Sequence, residues 1–407
     1  MKDRAARAIA ECKLIAAMSE EPERITRRFL TPPMHDVHAH LRARMELLSM
    51  TVHVDAAGNL LGYWQPEGAP AKRLILGSHI DTVPNGGAYD GVLGVVLALE
   101  WIELAQEMAL PLAIEVIAFS EEEGVRFGVP FLGSRAVAGC FDPAFLALQD
   151  ADGVTVDAAI RAFGLDPGGM DEAAADANVH GFIEVHIEQG PVLEAEGLSI
   201  ATVSGIVGQT RLSVEFRGQA NHAGTTSMHL RRDALSAAAE WIAQVEALAL
   251  GTDGLVATVG KLTVEPNVDN VVPGAARASL DVRHARDDAR AIAVEALLAK
   301  AETIAARRGL SVEWDRILDQ PAVPMDEELT TVLAEAIEAA GLPVKQMSSG
   351  AGHDAMVMAA RMPTAMLFLR SPGGISHHPA EAVLKEDVQA ALDVARKFLA
   401  RIAAEVG

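Results

Sequence analysis

Five short stretches of the sequence place histidine or acidic side chains where a predicted strand ends. They contain His79 in "GSHID", Asp90 in "YDG", the run 121–123 in "FSEEEG", His186 in "EVHIEQG", and His377 with His378 in "GISHHP". Imidazole and carboxylate groups bind zinc and similar ions in hydrolytic sites. Because open α/β sheets bind ligands at the carboxyl ends of their strands, the stretches indicate a metal site, and a two-ion arrangement with a bridging carboxylate would suit them.

Each stretch taken alone also has an ordinary structural explanation. A histidine in a glycine-rich loop, such as His79, is more often solvated or capping, and Asp90 could be the N-cap of the helix that follows it. The acidic run is typical of an exposed turn, and His186 could be a satisfied core residue in an apolar strand. The conjunction of all five at comparable topological positions favours the metal site.

The elements that would hold these residues alternate between strand and helix. The predicted elements are an amphipathic helical region over residues 1–48, two short strands from Thr51, a strand at 73–77, a helix at 91–108, strands at 112–119 and 181–190, a helix at 326–340, a strand at 364–369 and a helix at 384–405. This order is typical of an α/β fold with a central, mostly parallel sheet. The larger domain would comprise residues 1–207 plus 321–407.

A second pattern interrupts the first between residues 208 and 320. Its alternating strands are "QTRLSVEFRG", "LVATVGKLTVEP", "AARASLDVRH" and "LSVEWDRI", with helices at 229–249 and 286–308. The order β-α-β-β-α-β is the signature of a ferredoxin-like α+β fold. We therefore expect residues 208–320 to form a separate domain inserted into the larger one.

Composition narrows the classes of partner. The chain has 407 residues, of which 50% are hydrophobic and 22% charged, with a formal net charge of −22. Such a field disfavours nucleic acid and anionic membranes as partners. The two cysteines are too few for a disulfide framework or a thiolate zinc site, which fits a reducing cytoplasm. With no apolar run approaching ~20 residues, we expect a cytoplasmic protein without membrane partners.

Several longer motifs occur in order from about residue 25 to the C-terminus. They are "GSHIDTVPNGGAYDGVLGV", "EEEGVRFGVPFLGSR", "HIEQGPVLE", "ANHAGTT", "NVVPG", "SGAGHDA" and "GISHHPAE". Together they resemble the amidase/hydantoinase/carbamoylase family of dinuclear-metal hydrolases. That family includes N-carbamoyl-L-amino acid hydrolases, allantoate amidohydrolases and β-ureidopropionases, and is related to metal-dependent aminoacylases and carboxypeptidases. The resemblance implies an exopeptidase-like catalytic domain with an inserted dimerisation (lid) domain.

The resemblance also implies two divalent ions per subunit, zinc or else manganese, cobalt or nickel. His79 and His377 would each bind one ion, and Asp90 would bridge the two. Glu123 would bind one ion and His186 the other.

Two further roles belong to the same site. Glu122 would be the general base, because in the family a base–ligand pair directly precedes the glycine of "EEEG". His377 is chosen over His378 because the position after the ligand varies among relatives. Asp81 is expected to accept the ring N–H of His79 and so fix its tautomer.

Substrate contacts are implied in both domains. His222 in "ANHAGTT" would stabilise the oxyanion, often in the active site of the partner subunit of a homodimer. Arg283 would hold the α-carboxylate of the substrate as a bidentate fork. The residues implied beside the substrate are Asn270, Gln189, Gly350, Gly352 and His353. From the residues alone, His222 reads as a turn histidine and Arg283 as a surface strand arginine.

The leading hypothesis is a metal-dependent amidohydrolase that cleaves N-carbamoyl-L-amino acids to the L-amino acid, carbon dioxide and ammonia. Allantoate amidohydrolase is the close alternative, since allantoate also has a carboxylate and a ureido group. An N-acyl amino acid hydrolase or aminopeptidase-like enzyme is a weaker third. A catalytically inactive metal- or amino-acid-binding protein would need the ligands but not the base at Glu122.

Overall fold

The computed structural model describes residues 3–406, and these divide into two compact units. Within the described residues, unit 1 runs up to Ser204 and resumes at Pro324, and unit 2 comprises Gly205–Val323. The boundaries expected at 207/208 and 320/321 lie close to both chain crossings.

The strands are numbered along the chain. They are β1 (Thr51–Val54), β2 (Leu60–Trp64), β3 (Arg73–His79), β4 (Ala113–Phe119), β5 (Val179–Ile187), β6 (Ile200–Ile206), β7 (Gly208–Arg217), β8 (Asn221–His222), β9 (Val256–Thr258), β10 (Leu262–Glu265), β11 (Val271–Val272), β12 (Ala275–His284), β13 (Ser311–Gln320), β14 (Val323–Pro324), β15 (Gln346–Ser349) and β16 (Thr364–Leu369).

The α-helices are numbered in the same way. They are α1 (Arg4–Ala16), α2 (Pro32–Leu47), α3 (Val92–Glu107), α4 (Leu132–Val137), α5 (Val156–Ala162), α6 (Val192–Glu196), α7 (Ala234–Leu250), α8 (Asp287–Arg308), α9 (Glu327–Ala339), α10 (Asp354–Met358) and α11 (Lys385–Val406). Short 3₁₀ helices lie at Pro143–Ala147, Pro167–Ala173, Met228–Leu230 and Pro372–Gly374.

Within residues 3–406 the large sheet has nine strands in the order β1-β2-β4-β3-β5-β16-β6-β14, with β15 beside β6. The pairs β4–β3, β3–β5 and β5–β16 are parallel. The pairs β1–β2, β2–β4 and β16–β6 are antiparallel. The prediction of a mostly parallel sheet is therefore corrected to a mixed sheet with a parallel centre. The turn between β1 and β2 is too short for the crossover that a parallel pair needs.

The parallel centre is buried on both faces. All seven residues of β4 are buried, and so are nearly all of β3 and β5. Such strands read as continuous apolar runs because helices cover both faces of the sheet. Helix α3 is buried along most of its circumference, with Trp101 fully enclosed. This rigid centre carries the polar residues at its carboxyl edge.

The expectation of helix through residues 1–48 is wrong in its middle part. Helices α1 and α2 are separated by a non-helical segment, and α2 begins at Pro32 and Pro33, where proline starts a helix without losing a hydrogen bond. Buried Arg27 in that segment donates to the carbonyl oxygens of Ile15, Met18 and Ile80. The buried guanidinium thus joins the end of α1 to the residue that follows β3.

Among the described residues, the main sheet of unit 2 has five strands in the order β10-β12-β7-β13, with β9 also paired to β12. Its pairs are antiparallel, and the chain order β-α-β-β-α-β agrees with the ferredoxin-like expectation. The strand expected over "LVATVGKLTVEP" is instead broken into β9 and β10. At the break Lys261 N–H donates to the Ser279 hydroxyl, beside Gly260.

No helix within residues 3–406 combines the length and the apolar character that a membrane crossing requires.

Candidate metal centre

The carboxyl edge of the parallel centre collects the polar stretches of the sequence. His79 is the last residue of β3, the acidic run follows β4, and His186 is near the end of β5. His377 lies in the loop between β16 and α11. Because neighbouring parallel strands end at the same edge, these side chains meet in space.

The first group of potential ligands consists of His79, His186 and Asp90. Oδ1 of Asp90 lies 3.1 Å from Nε2 of His186 and 3.4 Å from Nε2 of His79, and the two ring nitrogens are 3.5 Å apart. The Nδ1 atoms instead face backbone carbonyl oxygens, those of Asp81 at 3.1 Å and Ile187 at 2.9 Å. A carbonyl only accepts, so Nδ1 of each neutral ring carries the proton and both Nε2 lone pairs converge beside Asp90.

The second group consists of Asp90, Glu123 and His377. Nε2 of His377 lies 3.3 Å from Oδ2 of Asp90 and 3.5 Å from Oε1 of Glu123. The two oxygens of Asp90 therefore face different groups, as a bridging carboxylate requires. The arrangement pairs His79 with His186 on one side and Glu123 with His377 on the other, which the sequence did not specify.

Asp90 is not the helix cap that its sequence position also allowed. The N-cap of α3 is Gly91, in a left-handed conformation with φ of 66°. A Cβ atom at Gly91 would lie 2.5 Å from ring atoms of His79. The glycine therefore permits the close approach of the helix start to the imidazole and turns Asp90 towards the histidines.

The donor set fits divalent metal ions. Oε1 of Glu123 is buried and has no hydrogen-bond partner among residues 3–406. Burial and the charge of Asp90 raise the pKa of Glu123 to about 7, and burial, with neighbouring carboxylates, raises the pKa of Glu122 well above its usual value. Imidazole nitrogens and carboxylate oxygens gathered in one buried region are a donor set that suits a divalent metal ion.

Metal affinity is expected to fall as the pH falls. A hydrogen bond to Asp90 raises the pKa of His377 to about 9, so a proton occupies its ring at neutral pH in the metal-free protein. Metal binding must displace that proton, the proton of His79, whose pKa the carboxylates of Asp81 and Asp90 raise despite burial, and below about pH 7 a further one from Glu123. The apparent affinity should therefore drop at least about tenfold per pH unit from 9 to 7 and more steeply below. Competition with a chelator across this range measures the slope, and a flat profile would contradict the assignment of His377.

Two neutral side chains hold the outer oxygen of Asp90. Nε2 of Gln189 and the hydroxyl of Ser376 each lie 2.8 Å from Oδ2 of Asp90, and both donate to it. Gln189 was expected beside the substrate, whereas its amide N–H₂ lies against Asp90. Ser376 was missed by the sequence reasoning, although its place directly before His377 in "GISHHP" was a usable signal.

Asp81 organises the acidic turn. Its carboxylate accepts the backbone N–H of Glu122 at 3.0 Å and of Glu123 at 3.1 Å. The expected contact with His79 is present, but the backbone carbonyl of Asp81, at 3.1 Å, lies closer to Nδ1 than its carboxylate, at 3.3 Å. Asp81 therefore fixes the positions of the predicted base and ligand as well as the tautomer of His79.

The segment 349–353 lies beside the first group of potential ligands. His353 is only 1% exposed, and its ring packs 4.5 Å from the ring of His186. The hydroxyl of Ser349 lies 2.9 Å from Nε2 of His353. Gly352 lies against Phe131, and Gly350 is exposed. The buried ring of His353 thus lies against that of His186, and its expected place beside the substrate stays a prediction.

In unit 2 the loop of His222 fixes the tautomer of its ring. Nδ1 of the exposed His222 accepts the backbone N–H of Gly224 at 3.1 Å and of Thr225 at 3.2 Å. In the neutral ring the proton is therefore on Nε2, which can donate. The carbonyl oxygen of Asn270, an exposed residue, accepts the N–H of Ala223 at 2.9 Å. The two predicted residues thus lie where the end of β8 meets the start of β11.

Arg283 lies at the end of β12 and is paired with a carboxylate. Its Nε is 3.0 Å from Oδ1 of Asp281, and its Nη2 is 3.1 Å from Oδ2. Asp281 also accepts from Gln209 and Arg211. One edge of the guanidinium is thereby held in a fixed plane, which the sequence did not reveal.

Two curated relatives have similar sequences over most of their length. The chain is 38% identical to the N-carbamoyl-L-amino acid amidohydrolase of Geobacillus stearothermophilus, over 86% of each chain. It is also 38% identical to the allantoate amidohydrolase of Escherichia coli K12, over 88% of each chain.

A solved structure and a family model also match the chain over most of its length. A crystal structure of an amidase of the hydantoinase/carbamoylase family from Burkholderia multivorans matches with a TM-score of 0.91 and 32% identity, covering 98% of this chain and 97% of that one. The resemblance inferred from the motifs is thereby confirmed. The family described as peptidase family M20/M25/M40 matches residues 75–401. The chain belongs to the peptidase family M20/M25/M40.

Proposed function

We propose that the protein is a metal-dependent amidohydrolase that cleaves the ureido C–N bond of N-carbamoyl-L-amino acids. The observation that carries this proposal is the placement of Asp90 between two groups of ligands, with Glu122 beside them. His79, Glu122 and Glu123 bring potential ligand atoms within 4.8 Å of one another. An inactive binding protein would not need the additional buried acid.

When bound, two divalent ions lower the pKa of water and polarise a carbonyl group. Glu122 takes the proton of the attacking water and delivers it to the leaving nitrogen. In the metal-free protein burial raises the pKa of Glu122, so its carboxylate binds a proton more readily than an exposed one. Water adds to the ureido carbon and the bond to the amino-acid nitrogen breaks. The products are the L-amino acid and carbamate, which decomposes to carbon dioxide and ammonia.

The residues of unit 2 supply substrate recognition in this proposal. His222 donates from Nε2 to the oxyanion, since its Nδ1 is occupied by two backbone N–H groups. Arg283, oriented by Asp281, binds the α-carboxylate, with Asn270 beside it. We further propose a homodimer in which His222 serves the active site of the partner subunit.

Allantoate is the alternative substrate, because the enzyme of Escherichia coli with the same identity carries that name. An ammonia-release assay with allantoate and several N-carbamoyl-L-amino acids, after reconstitution with zinc, manganese, cobalt or nickel, tests the choice. We expect the highest kcat/KM for an N-carbamoyl-L-amino acid. A higher value for allantoate would establish the alternative, and no ammonia from either class would refute the proposed function.

Replacing Arg283 by Lys is expected to lower kcat/KM by about 10- to 100-fold, mostly through KM, because a charge remains but the bidentate fork is lost. Arg277 offers a matched control on the same strand and face of β12, where it pairs with Glu215. The Arg277→Lys variant should keep the wild-type KM. Equal effects of the two substitutions would contradict the role of Arg283.

A further inference from the structure

Glu381 lies four residues after His377 and is only 6% exposed. Its Oε1 accepts two backbone N–H groups of the other ligand loop, that of Tyr89 at 2.9 Å and that of Asp90 at 3.0 Å. Its Oε2 lies 3.3 Å from the hydroxyl of Ser376. One buried carboxylate thus joins two loops that are almost three hundred residues apart in the chain.

The loop around Asp90 is shaped to receive this carboxylate. A Cβ atom at Gly87 would lie 2.2 Å from Cδ and Oε1 of Glu381. Any other residue at this position would therefore push the carboxylate away from the backbone of residues 89 and 90. The second glycine of "NGGAYDG" is thus explained by the approach of Glu381.

The same carboxylate lies beside a strained backbone. His377 has a φ of 54°, an uncommon value for a residue with a side chain, and the N–H of Glu381 bonds to the carbonyl oxygen of His378 at 3.0 Å. Such conformations persist where surrounding contacts determine them. Glu381 holds the end of this loop to the backbone of Asp90, while Ser376 holds its start to the carboxylate of Asp90.

From these contacts we infer that Glu381 is a positioning residue that sets the distance between the ligands Asp90 and His377. The inference rests on the proposed metal centre. Among residues 3–406, Glu381 belongs to none of the groups of potential metal ligands. It acts through the backbone N–H groups of residues 89 and 90 on one side and through the loop 376–381 on the other.

The test compares Glu381→Ala with Glu381→Gln by measuring metal affinity and the visible spectrum of the cobalt-loaded protein. The Ala variant should bind metal about 10- to 100-fold more weakly, as expected for loss of a group that orients a ligand, and its spectrum should change. The Gln variant keeps an acceptor oxygen for both N–H groups and should retain most of the affinity. If both variants are equally weak, charge rather than position is responsible and the inference is wrong.

Asp55→Ala is the matched control. Oδ1 of this buried residue also accepts two backbone N–H groups, those of Ala57 and Asn59, but its loop contains no ligand. It should lower the free energy of unfolding without changing metal affinity. A folded Glu381→Ala protein with wild-type affinity and spectrum would overturn the inference. A wild-type protein that binds no metal would instead refute the proposed centre.

Discussion

The Glu122→Gln variant is expected to lose about 10²- to 10⁴-fold of kcat while it still binds two metal ions. The amide has nearly the same shape as the carboxylate but cannot take a proton from water. Its backbone N–H would still donate to Asp81, so the acidic turn should keep its conformation. Steady-state ammonia release gives kcat, and elemental analysis gives the metal content.

Glu121→Gln is the control, since Glu121 is also buried and precedes Glu122 in the same turn. This variant should keep kcat within a small factor of wild type. If Glu121→Gln loses activity and Glu122→Gln does not, the base has been assigned one residue too late. Loss of a metal ion from Glu122→Gln would show that Glu122 is a ligand instead.

Replacing Asp90 by Ala is expected to remove both ions and to abolish activity. The two oxygens of Asp90 face His186 and His377 respectively, so the substitution deprives both groups of a ligand. The effect should exceed the 10- to 100-fold change that is typical for residues that only orient a ligand. Metal content after dialysis, with activity measured at saturating metal, tests this expectation.

His377→Ala provides the comparison, because His377 belongs to the group with Glu123 and not to the group with His79. It should lose one ion and keep the other. If Asp90→Ala also keeps one ion at wild-type affinity, Asp90 does not bridge. The ratio of ions to protein therefore distinguishes a bridging from a terminal carboxylate.

The sequence was sufficient to find the ligand stretches because strand ends are visible in the pattern of apolar residues. His79 and His186 each follow a buried run, and the topology of parallel strands predicts that such ends meet. The sequence could not show which ligands face each other. That depends on the rotation of Asp90 and on the left-handed conformation at Gly91, both of which follow from packing across the sheet.

Other features depend on contacts between distant segments. Strand β6 was not predicted, and its pairing with β16 makes one side of the sheet antiparallel. Arg27 stands next to Arg28 and nothing in the sequence marks it as buried, yet its donors bond to carbonyl oxygens of residues before and after it. Ser376 and Glu381 make their hydrogen bonds to residues 89 and 90 only because the loop that contains them lies against residues 87–90. Local propensity contains no information about such partners.

The position of β16 has a consequence for synthesis of the chain. Strands β5 and β6 are made before it, yet β16 lies between them in the sheet. Until residues 364–369 leave the ribosome, β5 therefore has an open edge, which exposes unpaired N–H and C=O groups to other chains. His377 and Glu381 follow still later. The centre can thus assemble only after residue 381 has been made, and a product terminated before residue 364 would lack both the covering strand and a complete set of ligands.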